Sequence, residues 1–374
     1  VRDDYTQEDA TRLREQMARE AERSGKGPFG PVRFEGYRWL AELPYFELRE
    51  DGLLKAVVDL PEVIDMHTHL GWSYFLAPEV DLQKRTSYTH YLLDCDMQKP
   101  PCKLDLDVYV NANFDEDSHA RLKRETISSL LFGSNAAATH TIPNLLAEMD
   151  AARISQAAVL PIATNLPFSA DQTELTLKNI ASAGASRRLI PFGSVHPGDP
   201  GAIERLRDYA KAGVRGIKLH PEMQRFFPDD AAAMKVYEEC GRLGLPVIFH
   251  AGRSGIEPDF MRRYALIRRY IPPVREFPQV RFLFGHAGAR DVAEAIPIAQ
   301  RHDNVWMELS SQGATQIHEL IQQVGVGKLL FGSDWPFYPQ AVALAKILLV
   351  TEKDLPARAA ILAGNARTVL SPQA

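Results

Sequence analysis

The chain has 374 residues, 45% of them hydrophobic and 24% charged, with a formal net charge of -5. That length supports one large core or two modest ones. The mild acidity and the lack of a basic stripe exclude nucleic acid as an expected partner, and no apolar run approaches the length a bilayer demands.

Three cysteines, Cys95, Cys102 and Cys240, are too few for a secreted disulfide framework and leave one unpaired. Structural thiols in a reducing compartment, the cytoplasm, are the expectation. The N-terminus is charged rather than signal-like. The sequence begins at Val1, which leaves open a missing initiator or leader.

The first segment, about Thr6 to Arg23, reads as a polar helix with Thr6 as N-cap and Asp9 three residues on, a capping-box variant. Gly25-Lys26-Gly27-Pro28 breaks it. Tyr45 to Glu50, Asp51-Gly52 and Leu53 to Leu60 read as a small hairpin, because Asp-Gly favours a primed turn. Residues 1–60 therefore read as an arm packed on a larger unit spanning 61–374.

An apolar run from Leu60 to Met66 leads into His67-Thr68-His69. Alternate residues of a strand share a face, so the two imidazoles point the same way near the strand's end, where one borderline-soft ion such as zinc reaches both. A lone His-x-His is commonly two ordinary histidines, so the weight falls on the rest of the chain. Residues 71–138 lack strong helix periodicity, carry Trp72, Tyr74, Phe75, Tyr88, Tyr91, Tyr109 and Phe114, and read as a lid-like insertion.

Beyond residue 142 short apolar runs alternate with amphipathic stretches: Ala157–Ala163, Leu189–His196, Val214–His220, Val247–His250, Val280–His286, Val305–Leu309 and Leu329–Asp334. Between them lie Gly201–Lys211, Ala231–Arg242, Ala289–Arg301 and Gln316–Val324. Continuous apolar strands alternating with helices imply a parallel sheet, and eight units predict an α/β fold of the closed (β/α)8, or TIM-barrel, kind. A doubly wound open sheet is the alternative, but no glycine-rich phosphate loop follows the first strand.

In such a barrel the chemistry lies at the C-terminal strand ends. Here those ends carry His67 and His69, Lys218 and His220, His250, His286 and Asp334. Clustering so many ionisable groups at one axis is costly unless they act together. This pattern resembles the amidohydrolase-2 (amidohydrolase-related) family of metal-dependent TIM-barrel enzymes, over about residues 62–370 and including the closing Gly364-Asn365-Ala366-Arg367.

The resemblance implies His67, His69, His250 and Asp334 as metal ligands, with Asp334 also the general base. It implies His286 as a catalytic side chain that binds a second metal or, the favoured role, hydrogen-bonds the substrate oxygen. A divalent metal lowers the pKa of its water from about 16 towards 7. Zinc is the first expectation, with manganese and iron also suited to N/O ligands. Lys218 matches the position of a lysine that bridges two metals in binuclear relatives, and a lysine paired with a carboxylate is the bland reading. His220, Arg253, Arg290 and Trp335 are the substrate-binding candidates; an arginine there could clamp a carboxylate, or simply make a rim salt bridge. Glu308 reads as a structural partner, His196 as a hydrogen-bonded loop histidine.

The function implied is hydrolysis of a C–N or C–O bond in a small amide, cyclic amide or lactone. The alternative is non-oxidative decarboxylation of an aromatic or enoic acid, which an arginine clamp would favour. A small-molecule substrate, no nucleic acid, no membrane and a homodimer are the partner expectations.

Overall fold

The structure is a computed structural model that describes residues 5–71, 79–97, 102–166 and 169–372. Eight parallel strands wind in chain order: β1 (Ile64–Thr68), β2 (Gln156–Val159), β3 (Leu189–Pro191), β4 (Ile217–Leu219), β5 (Val247–His250), β6 (Phe282–Gly285), β7 (Val305–Glu308) and β8 (Leu329–Leu330). They pair as a run of three and a run of five. Parallel bridges Gly193–Ile217 and Thr68–Trp335 join the two runs at both edges, which closes the barrel. The backbone continues that seam, with Asp334 N donating to His67 O at 2.8 Å and His69 N to Trp335 O at 2.7 Å.

The strands are shorter than the apolar runs. Pro61 lies near the start of the first run and cannot join a ladder as donor, and the strand begins at Ile64. Pro161 and Pro191 likewise sit at the ends of β2 and β3. Ile64, Met66, Ala158, Leu160, Ile190, Phe192, Ile248, Leu283 and Leu330 fill the interior, and Ala366 and Val369 of the helix Asn365–Leu370 join that cluster. A second apolar layer, including Phe249, Phe282 and Phe284, faces the surrounding helices. A register shift between Asp65 and Thr68 lets Met66 pack inside while His67 and His69 both reach the mouth above it.

Helix α1 (Gln7–Arg23) carries the capping box read from sequence: Asp9 N donates to Thr6 Oγ1 at 3.2 Å and Thr6 N to Asp9 Oδ2 at 2.9 Å. Strands Phe46–Leu48 and Leu54–Ala56 form the antiparallel hairpin. Within the insertion, Leu104–Asp105 pairs with Arg33–Phe34. Although residues 71–138 show no strong helix periodicity, they contain a 16-residue helix, Glu116–Leu131. Asp115 caps it, accepting from Ser118 N at 2.8 Å. Trp72, Tyr74 and Phe75 lie outside the described residues.

The cysteine reading needs correction. Cys95 and Cys102 form a disulfide, because the chain folds back between them and Cys102 N donates to Cys95 O at 3.2 Å. Cys240 is a buried thiol. Among the described residues no helix is long and apolar enough to cross a membrane.

Candidate active site

The barrel mouth holds a cavity of about 510 Å³, its open entrance included, which His67, His69, Lys218, His220, His250, His286 and Asp334 all line. Asp334 follows β8 in a left-handed turn, φ 61°. Its Oδ1 lies 3.6 Å from His67 Nε2 and 3.5 Å from His69 Nε2. The outer nitrogens of both rings are occupied. His67 Nδ1 donates to Glu308 Oε2 at 2.6 Å, and His69 Nδ1 to the Leu160 carbonyl at 2.7 Å.

Glu308, at the end of β7, is the hub beneath the site. Besides His67 it accepts from the backbone N–H of His286 (3.1 Å), the backbone N–H of Ser310 (2.5 Å) and the Ser310 hydroxyl (2.8 Å). Burial pushes its carboxyl up to about 8, while these donors pull the other way by favouring the charged form. Gly332 makes room for it, since a Cβ there would collide with Glu308 Oε1.

Across the mouth, His250 Nδ1 faces His286 Nε2 at 3.0 Å, and His286 Nδ1 lies 2.8 Å from the Ser310 hydroxyl. The Ser310 hydroxyl donates to Glu308, so it accepts from His286 Nδ1–H, and His286 Nε2 carries a lone pair. In this tautomer Nε2 faces the cavity as an acceptor or an ion-binding lone pair, whereas the expected hydrogen bond to a substrate oxygen needs the opposite tautomer. Burial first, then the Lys218 charge, lowers His250 to about 3. Burial likewise holds His67 and His286 well below the usual histidine range. All three rings are therefore neutral near pH 7, the form that binds metals.

Lys218 Nζ stands 3.1 Å from His67 Nε2, and burial brings its ammonium down to about 8. His220 stacks on His250 with ring centres 4.3 Å apart and planes within 6°. The implied four-ligand set divides. His67, His69 and Asp334 place ligand atoms within 4.8 Å of one another, whereas the ligand atoms of His250 group with His220 and Glu222.

Three of the side chains expected to bind substrate lie off the cavity wall. Arg253 is buried, its guanidinium gripping both carboxylate oxygens of Asp291 at 2.5 and 2.8 Å and the Asp9 carbonyl at 2.5 Å. Arg290 donates to Glu20 Oε2 at 3.0 Å and to the Ser254 carbonyl at 2.8 Å. Acidic α1 and Asp291 outcompete the cavity for both cations. Trp335 is fully buried behind the seam, with Nε1 donating to Glu148 at 2.8 Å. Its neighbour Phe337 lines the cavity instead. His196 is the expected loop histidine, held to the Gln224 carbonyl at 2.7 Å.

Residues that the sequence reading did not assign to the site also meet here. Tyr109 and Asn111 enter from the insertion, and Ile162, Met223 and Ile256 form apolar wall. Glu222, one turn beyond β4, sits behind His250.

A parallel eight-stranded barrel with neutral imidazoles and a carboxylate converging at its mouth defines a TIM-barrel protein equipped to hold a metal. The chain belongs to the amidohydrolase family, whose model matches residues 64–371. Members of that family are metal-dependent enzymes, hydrolases and decarboxylases. Its fold is similar to that of 5-carboxyvanillate decarboxylase from Sphingomonas paucimobilis, with TM-score 0.56, 13% identity and coverage of 83% of this chain and 99% of that one. It is similar to an uncharacterized TIM-barrel protein from Bordetella bronchiseptica, TM-score 0.55, 18% identity, covering 83% and 98%. An amidohydrolase from Burkholderia multivorans gives TM-score 0.51 at 15% identity, covering 84% and 100%. No curated protein sequence matches the chain.

Proposed function

We propose that this protein is a metal-dependent hydrolase that cleaves the C–N or C–O bond of a small amide, cyclic amide or lactone. The observation that carries the reading over decarboxylation is the engagement of Arg253 and Arg290. Among the described residues no arginine lines the cavity, so no guanidinium is available to clamp a substrate carboxylate.

The donor set fits a divalent ion: neutral imidazole nitrogens and a carboxylate oxygen within 4.8 Å, with outer nitrogens already fixed. His67, His69 and Asp334 would hold it, with His250 as the fourth ligand and His286 facing them; zinc suits these donors, and manganese and iron are also accommodated. A bound divalent ion supplies Lewis-acid chemistry, acidifying water and polarising a carbonyl. Asp334 takes the proton of the attacking water and returns it to the leaving nitrogen or oxygen. Lys218, the one cationic side chain lining the cavity among the described residues, stabilises negative charge developing on the substrate. The walls of Ile162, Met223, Ile256 and Phe337 exclude water from the substrate body.

A turnover screen of uncharged lactones, cyclic amides and aromatic carboxylic acids tests the reading. Hydrolysis of the first two classes that stops on chelation and returns with zinc supports it. CO2 release from the acids, without lactone or amide hydrolysis, replaces it with decarboxylation. Elemental analysis is expected to find about one ion per chain, unchanged in Lys218→Ala, for a three-ligand-plus-carboxylate site. Two ions falling to one or none on that substitution would instead make Lys218 a bridging ligand. Asn111→Ala is expected to raise KM about tenfold at nearly constant kcat, the loss of one hydrogen bond to bound substrate. An unchanged KM would remove Asn111 from the binding surface.

A further inference from the structure

Three of the five imidazoles lining the mouth present Nε2 inward because a fixed acceptor holds Nδ1. His67 is held by Glu308, His69 by the Leu160 carbonyl and His286 by the Ser310 hydroxyl. His250 is turned the other way, with Nδ1 inward, 3.0 Å from His286 Nε2. Its outer nitrogen, Nε2, lies 3.5 Å from Glu222 Oε2. Glu222 belongs to the single helical turn Pro221–Gln224 that starts directly after β4. It is 3% exposed, and its other oxygen, Oε1, has no hydrogen-bond partner. The parallel stack with His220 fixes the plane of the His250 ring but not which nitrogen carries hydrogen.

We propose that Glu222 is the positioning residue of His250: its carboxylate accepts from Nε2–H, which leaves Nδ1 as the lone-pair nitrogen facing the cavity. The site then presents a defined set of lone pairs, Nε2 from His67, His69 and His286 and Nδ1 from His250. Nδ1 of His250 and Nε2 of His286 lie 3.0 Å apart, close enough for one cation to bind both. Glu222 thus prepares the mouth for an ion before the ion arrives. The inference rests on the reading of His250 as a ligand, and its test separates the two.

The full-length chain, labelled with 15N-histidine and freed of metal, is examined by long-range 1H–15N correlation, with His250 assigned from His250→Gln. Wild type is expected to show His250 protonated at Nε2. Glu222→Met should shift it towards the Nδ1–H form and weaken zinc binding, read by chelator competition, about 10- to 100-fold. Glu222→Gln, whose amide oxygen still accepts, should stay near wild type. An Nδ1–H tautomer in wild type overturns the proposal, as does a Glu222→Met protein with unaltered tautomer and zinc affinity. The wild-type spectrum decides even if Glu222→Met does not fold. Wild type with the expected tautomer but no zinc binding upholds Glu222 as positioner and removes only the ligand reading.

Discussion

Asp334→Asn is expected to lower kcat by about 10²- to 10⁴-fold, the range for loss of a general acid–base group, while the protein melts as wild type does. Asp334 is the one carboxylate lining the cavity among the described residues, so no neighbour takes over its proton transfer. Zinc affinity should fall as well, because the neutral amide is a poorer partner for an ion shared with His67 and His69. The fold should tolerate the change for a local reason. Position 334 has φ 61°, and asparagine enters that left-handed region as readily as aspartate.

The turn that holds Asp334 is also built independently of its side chain. Asp65 accepts from His67 N at 3.0 Å and from Ser333 N at 2.9 Å, tying β1 to the end of β8. Its second oxygen accepts from Gln340 at 2.8 Å. Glu148 accepts from Gln340 N at 2.6 Å and from the Trp335 indole at 2.8 Å. Burial pushes these two carboxyls up, to about 6 and about 7, against the donors that surround them. Wild-type turnover in Asp334→Asn would refute the assignment; loss of the folded state would place Asp334 in this scaffold instead.

The sequence disclosed the barrel because buried parallel strands write themselves as apolar runs. It disclosed the mouth because ionisable residues interrupt each run at the same end, as Lys218, His250 and His286 do. Both are local patterns of one strand. What it did not disclose depends on partners distant in the chain. Glu308 lies 241 positions from His67 and Glu222 lies 28 from His250, and neither spacing follows a rule, although both fix imidazoles. The helix Glu116–Leu131 is too evenly polar to show a periodic face, and the sequence reading passes over it. The partners of the arginines are hidden in the sequence for the same reason as the partners of the glutamates. Arg253 and Arg290 follow cavity histidines closely, yet their acceptors sit on Asp291 and on α1, at the other end of the chain. A charge chooses its partner in three dimensions, by desolvation and geometry rather than by proximity in sequence.

The pairing of Arg253 with Asp291 yields the second large effect. Arg253→Ala is expected to destabilise the protein by about 3–5 kcal/mol, the range for removing one partner of a buried ion pair. The guanidinium and the Asp291 carboxylate are 1% and 5% exposed, so truncation strands a charge that water does not reach. The same change removes the donor to the Asp9 carbonyl, loosening the first turn of α1. A chemical-denaturation midpoint well below wild type, with KM and kcat of the folded fraction unaltered, is the expected result. A substrate clamp would give the reverse, a raised KM for charged substrates at wild-type stability. Asp291→Ala supplies the complementary arm, because it frees the guanidinium beside Ser254, a residue of the cavity wall. If Asp291→Ala gains turnover or binding of carboxylate substrates while losing stability, Asp291 is what keeps a clamp from forming. In that case the specificity of the mouth for uncharged substrates is set by a carboxylate that never touches them.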